Sequence, residues 1–313
     1  MKLASKIVGG IFAFLFFVLF IICERDRPVE ELIPLYANQD SKFMPILGMQ
    51  VHYRDEGVQS DSVPLILLHG MSSSLNTWDS VAMGLKAERR IISLDLPGFG
   101  LTGPSPENAY NFTYYSKFID SFTTRLKIKR FILVGNSMGG AISWNYALHN
   151  PKGLAKMILI DAAGYPKKGE SGSLGFKIAS TPVINNLLLY VTPKMLVRAS
   201  LKTIYADQNL VTDAQVERFH DIAIREGCRQ AALTIFNGSF KGDFKQIAQI
   251  KTPTLILWGD QDHLIDVANA QLFAKDIAGS HVEIYKNIGH VPMEEVPARV
   301  ASSILTFITP QPE

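Results

Sequence analysis

The sequence predicts an α/β fold: a mostly parallel, twisted sheet wound by right-handed crossovers, with helices on both faces. Three observations predict it. Short apolar, β-branched runs alternate with segments of helical periodicity. One of these runs, Phe131-Ile132-Leu133-Val134, leads through a Gly-x-Ser-x-Gly turn directly into a helical segment that ends near Asn150-Pro151. The chain has 313 residues, 47% of them hydrophobic and 19% charged, which is enough to cover a sheet on both sides.

The N-terminus departs from that pattern. A short tail, residues 1–6, carries two lysines and precedes an unbroken apolar run from Ile7 to Cys23. At about 1.5 Å per residue a helix over 7–23 is just long enough to cross a bilayer. A cleaved signal peptide is the competing expectation, but no small-x-small cleavage site follows, so a retained single-pass transmembrane anchor is expected. The lysines favour a cytoplasmic start, which places the main domain on the non-cytoplasmic side. Residues 24–40, with Pro28 and Pro34, read as a linker between membrane and folded domain.

The core begins at residue 41. Met49–Tyr53 alternates as a half-buried strand, and Val63–Leu68 is a continuous apolar run of the kind a buried parallel strand requires. It ends at His69-Gly70-Met71, and helical spacing follows from Ser72 to Leu85. Arg90–Leu94 is the next strand, running into the loop Asp95-Leu96-Pro97-Gly98-Phe99-Gly100. Tyr114–Leu126 is amphipathic and helical, and Met157–Asp161 is another buried strand. The alternation then stops. Residues 165–244 hold helical segments at Leu187–Ala199, Asp213–Glu226 and Arg229–Phe236, read as a helical insertion. Strands return at Thr254–Trp258 and His281–Tyr285, and a helix from about Glu295 to Phe307 closes the chain. The core is thus expected over 41–164 and 245–313.

The chemistry centres on Ser137. Glycines at 135 and 139 suit a strained turn that presents a serine hydroxyl above the sheet edge. A serine needs a base, and bases in open α/β sheets sit at the carboxyl ends of strands. His290 follows the last strand and meets that condition. His69 also follows a strand but reads as support for its own loop, His263 is a weaker candidate, and His52, His149, His220 and His281 lie away from the expected site. The base needs an orienting carboxylate. Asp262 is favoured, Asp260 is expected to brace its turn, and Asp161 reaches a similar region from the preceding strand. Backbone amides of Met71 and Met138 are the expected oxyanion donors. A net charge of +2 gives no argument for nucleic acid. The two cysteines, Cys23 and Cys228, form neither a disulfide framework nor a metal-binding pattern, so no metal and no cofactor are expected.

With these residues in place, the chain resembles the α/β-hydrolase superfamily over about residues 41–309. The resemblance rests on His69-Gly70-Met71, Asp95–Gly100, Gly135-Asn-Ser-Met-Gly-Gly140, Gly259-Asp-Gln-Asp262 and Gly289-His-Val-Pro-Met-Glu-Glu295, in that order. It implies an α/β-hydrolase fold, with residues 165–244 as the helical cap and Ser137, Asp262 and His290 as a catalytic triad. In this family the acid is usually the second carboxylate of the Gly-x-x-Asp pattern, which supports Asp262. Ser137 stands where haloalkane dehalogenases and epoxide hydrolases place an aspartate. Carbon–carbon bond hydrolases share the Gly135–Gly140 pattern. They differ where this chain has Ser72-Ser73-Ser74 and Val291-Pro292. The expected activity is that of a serine esterase or lipase acting on carboxylic esters, monoacylglycerols or other lipid esters among them. The alternatives are a carbon–carbon bond hydrolase and a non-catalytic ligand-binding homologue of the same fold.

Overall fold

The computed structural model describes residues 23–149, 152–166, 181, 184–239 and 242–309. The strands are β1 (Ser41–Ile46), β2 (Met49–Gly57), β3 (Leu65–Leu68), β4 (Arg90–Leu94), β5 (Phe131–Asn136), β6 (Leu154–Ile160), β7 (Thr254–Gly259) and β8 (His281–Tyr285). They form one 8-stranded sheet in the order β1-β2-β4-β3-β5-β6-β7-β8. β1 pairs antiparallel with β2, and β2 antiparallel with β4; every later pairing is parallel. Residue type follows position. β3, β5 and β7 are buried at every residue, whereas β8 at one edge exposes His281 and Val282.

The helices are α1 (Val29–Tyr36), α2 (Asp79–Leu85), α3 (Phe112–Arg125), α4 (Met138–His149), α5 (Lys194–Ile204), α6 (Asp213–Ala223), α7 (Cys228–Thr234), α8 (Ala268–Asp276), α9 (Pro292–Glu295) and α10 (Pro297–Ile308). Alternation along β3 decides which helices cover which face. Leu65 and Leu67 join Trp78, Val81, Val300 and Ile304 on the side of α2 and α10. Ile66 and Leu68 join Phe118, Phe122 and Ile142 on the side of α3 and α4. Burial of this kind contributes roughly 25 cal/mol per Å² of apolar surface, so both layers hold the sheet.

Three expectations are corrected in detail. β1 was not foreseen; it is an edge strand whose Lys42 and Phe43 are exposed, so it lacks a core-facing alternation. The helix expected over Leu187–Ala199 starts instead at Lys194, because Pro193 caps it, and Ile184–Leu189 is a 3₁₀ turn. The 24–40 stretch is more than a spacer. It contains α1, whose Leu32 is fully buried, and it grips the helices that follow β6. Arg27 pairs with Asp221 at 2.7 Å, the Tyr36 hydroxyl donates to Asp221 at 2.7 Å, and Arg229 holds Asp26 at 2.6 Å. The backbone N–H of Arg27 donates to Ile224 O, and that of Glu226 donates to Arg27 O. The expected transmembrane segment 7–23 lies outside the described residues except for Cys23; among the described residues no helix is long and apolar enough to cross a membrane.

Candidate active site

Ser137 lies between the end of β5 and the start of α4, with φ at +53°. This left-handed conformation is strained for a serine. Three backbone bonds hold it. Its N–H donates to Ile160 O, and its carbonyl accepts from Ala141 and Ala163, all at 3.0 Å. The flanking glycines are required by close approach. A Cβ on Gly135 would lie 2.3 Å from Gly139 backbone atoms, and one on Gly139 would lie 2.2 Å from Leu68 O. The elbow is therefore wedged against the end of β3.

His290 and Asp262 come together from the loops after β8 and β7. The His290 Nδ1–H donates to Asp262 Oδ2 at 2.6 Å, and both groups are buried. Asp262 Oδ1 accepts the N–H groups of Leu264 and Ile265 at 2.8 and 2.9 Å, which fixes the carboxylate from its other side. Asp260 accepts the Asn287 N–H at 2.7 Å and so ties the two loops to each other. Asp161 packs beside the pair: one ligating atom from each of Asp161, Asp262 and His290 lies within 4.8 Å of the others. Ser137 and His290 line a single cavity of about 820 Å³. Its walls are largely apolar and come from the core (Phe112, Trp144) and from the helices after β6 (Leu196, Leu201, Leu233).

Met71 and Met138 both line that cavity. Met138 opens α4, so its N–H is one of the first-turn amides with no partner inside the helix. The Met71 loop is pressed onto the elbow: a Cβ on Gly70 would stand 3.2 Å from the Ser137 Cβ. His69 holds this loop from beneath. Its Nε2 accepts the Leu96 N–H at 2.9 Å, so its Nδ1–H donates to Gly70 O at 2.7 Å. Burial keeps this imidazole below its ordinary pKa and neutral.

Two residues that sequence reasoning did not single out anchor the histidine loop. Asn136, within the Gly-Asn-Ser motif, donates from Nδ2 to His290 O at 3.0 Å and to Ile160 O at 3.2 Å. Glu295 accepts the Gly289 N–H at 2.7 Å and, through its other oxygen, the N–H groups of Ala206 and Asp207. Glu295 lies in the Gly289–Glu295 stretch, which was the available signal. The His290 N–H also donates to Ile204 O at 2.7 Å, so the end of α5 is fastened to the histidine loop.

A second Ser-His-Asp chain exists away from the cavity. Ser41 Oγ stands 2.8 Å from His52 Nε2, and His52 Nδ1 stands 2.7 Å from Asp95 Oδ2. Asp95 also accepts the Leu75 and Leu101 N–H groups, at 2.7 and 2.8 Å, so it fixes the loops on either side of β4. Glu217, His220 and Asp221 also cluster. Lys194, Glu24, Arg27 and Tyr36 already engage these groups, as an ion-pair network would.

Comparison with known proteins identifies the fold family. A family model described as "alpha/beta hydrolase fold" matches residues 63–297. The chain is 28% identical over 264 residues to YugF of Bacillus subtilis, an uncharacterized hydrolase, covering 82% of this chain and 92% of that one. It is 29% identical over 284 residues to monoacylglycerol lipase ABHD6 of Bos taurus, covering 84% and 83%. Among solved structures, a meta-cleavage product hydrolase from Pseudomonas fluorescens superposes with a TM-score of 0.72 at 22% identity, over 86% of this chain and 98% of that one. At that identity the likeness shows the fold.

Proposed function

The chain belongs to the α/β-hydrolase fold family, and from that premise we propose that it is a serine hydrolase of carboxylic esters, with monoacylglycerols and other lipid esters as the substrate class. One observation carries the reading. A serine on a strained elbow and a histidine bound to a buried aspartate line the same, largely apolar cavity. The 29% identity to a monoacylglycerol lipase supports a lipid substrate.

The reaction divides into two transfers. Ser137 Oγ attacks the ester carbonyl while His290 Nε2 takes its proton, and Asp262 stabilises the imidazolium through Nδ1–H. The Met71 and Met138 amides hold the oxyanion, each such donor being worth about 3 kcal/mol. His290 returns the proton to the leaving alcohol, and the C–O bond breaks to give an acyl-serine. Water, deprotonated by His290, then attacks the acyl carbon; Ser137 leaves with a proton and the free acid is released. None of these steps requires a cofactor.

In this reading residues 41–164 and 245–313 are the catalytic core, 165–244 the cap, 24–40 the connection and 7–23 a single-pass anchor. The catalytic domain stands on the non-cytoplasmic side. Carbonate extraction should leave the full chain in the membrane pellet; release to the supernatant would refute the anchor. For the chemistry, Ser137→Ala should abolish hydrolysis of short and long p-nitrophenyl esters and labelling by a fluorophosphonate. Retained hydrolysis would sink the assignment. Turnover of a vinylogous 1,5-diketone in place of esters would instead favour the carbon–carbon bond hydrolase reading.

A further inference from the structure

Asp161 is a buried carboxyl group that the triad chemistry does not use. It follows β6 with φ at +45°, and its N–H donates to Leu257 O at 3.0 Å. This places its side chain against the end of β7, where Oδ1 accepts the Gly259 N–H at 3.0 Å. Asp161 is 0% exposed, and as a carboxylate its Oδ2 would be buried with no hydrogen-bond partner. A buried lone pair in that condition is costly, and an unpaired buried charge more so. The side chain it faces is that of Asp262: one carboxyl oxygen of each lies within 4.8 Å of the other.

We propose that Asp161 is a neutral carboxylic acid whose O–H donates to the Asp262 carboxylate, making Asp161 a positioning residue for the Asp262–His290 pair. The proposal rests on the triad reading above.

Hydrogen-bond supply decides which carboxyl keeps the proton. Asp262 receives N–H donors from Leu264, Ile265 and His290, all of which favour its charged form. Asp161 receives one, from Gly259. Among the described residues, the titratable groups that act on Asp161 are Asp262, His290, Glu295 on α9 and Tyr285 at the end of β8, and none of these is a lysine or an arginine. Burial, and then the adjacent Asp262 charge, push the Asp161 carboxyl well above the usual carboxylate range. Two ionised carboxylates beside one imidazole would leave excess negative charge in a dry site, and the shared proton removes it. The Asp161 O–H also orients Asp262 without competing with His290 for its Nδ1 proton, since a neutral acid is a poor acceptor.

Two measurements test this. The first is spectroscopic and needs no activity. An infrared difference spectrum between the unaltered enzyme and Asp161→Asn, taken at mildly alkaline pH, should show loss of a protonated-acid C=O band. Loss of a carboxylate band would overturn the proposal. Carbon-13 labelling of the aspartates in the unaltered chain gives the same answer if the variant does not fold. One aspartate carboxyl should stay at a protonated chemical shift from neutral to alkaline pH, and its absence would overturn the idea. The second measurement is kinetic. Asp161→Leu should lower kcat roughly tenfold with KM little changed, the size expected for one hydrogen bond to a charged acceptor. Asp161→Asn, which keeps a donor toward Asp262, should restore most of that loss with the acid limb of the pH–rate profile in place. If Asp161 were ionised, Asp161→Asn would remove a negative charge and move that limb about one unit toward lower pH. Failure of ester hydrolysis in the unaltered enzyme would overturn the functional reading while leaving the spectroscopic result to decide the protonation of Asp161.

Discussion

Removing Asn136 tests whether the elbow and the histidine are held as one unit. The Asn136 side chain donates to two carbonyl oxygens, those of His290 and Ile160, and the residue is buried. Asn136→Ala strips the donor from both, and leaves a space lined by Gly70 and the elbow. Ile160 O keeps the Ser137 N–H, so only His290 O is left without a partner, at a cost of about 1–3 kcal/mol, near 2 kcal/mol once some relaxation is allowed. For a domain of this size that corresponds to a fall in Tm of about 4–8 °C. The loss should also reach the chemistry, because one of the two carbonyls belongs to the proposed base. A shift of His290 large enough to cost 1.4 kcal/mol in its alignment with Ser137 slows acylation about tenfold. The assay is fluorophosphonate labelling followed by mass spectrometry, run well below the midpoint of the variant so that folding is not limiting, alongside thermal melts. A variant with reduced Tm that labels at the parental rate would refute the coupling. An unchanged Tm would refute the two hydrogen bonds themselves.

Other outcomes follow from the same geometry. Gly139→Ala should yield little folded protein on a soluble-expression and melting assay, since its Cβ would stand 2.2 Å from Leu68 O and 2.8 Å from His69 O, backbone atoms that have no room to yield. Burial pushes the Cys228 thiol up to about 12, so iodoacetamide at mildly alkaline pH should spare Cys228 until the chain is unfolded, as peptide mapping will show. His69 is held neutral with its pKa depressed, so the unfolded chain binds the extra proton first; stability should be retained above about pH 6.5 and decline below it. A His69→Gln variant, though less stable, should show a shallower decline in Tm between neutral and mildly acidic pH.

Much of the sheet was readable because parallel core strands leave a continuous apolar signal, as in Leu65–Leu68 and Thr254–Trp258. Gly135 was readable because contact with Gly139, four residues on, demands it, whereas Gly139 is demanded by Leu68 O on β3 and was readable only from the motif around Ser137. What was not readable depends on partners far away in sequence. β1 carries Pro45 and exposed Lys42, which an edge strand tolerates and a periodicity scan discards. α1 draws its support from Asp221 and the helices after β6, more than 180 residues on, while Pro34 inside it argues against a helix. The bond from Asn136 to His290 spans 154 positions. Asp161 was noticed as a carboxylate within reach of the site, but its burial and its missing partner exist only once three strand ends converge.

The grip of residues 24–36 on the helices beyond β6 has a practical consequence for anyone shortening the chain. Cutting the chain at the first core strand, as a simple tether would permit, removes Asp26, Arg27, Leu32 and Tyr36 together. It strands Arg229 and Asp221 as buried charges without these counterparts. A usable truncation begins near Cys23, so that the clasp travels with the enzyme. In the full chain the same clasp fastens the N-terminal strap to the two helices whose Ile222 and Arg229 line the cavity.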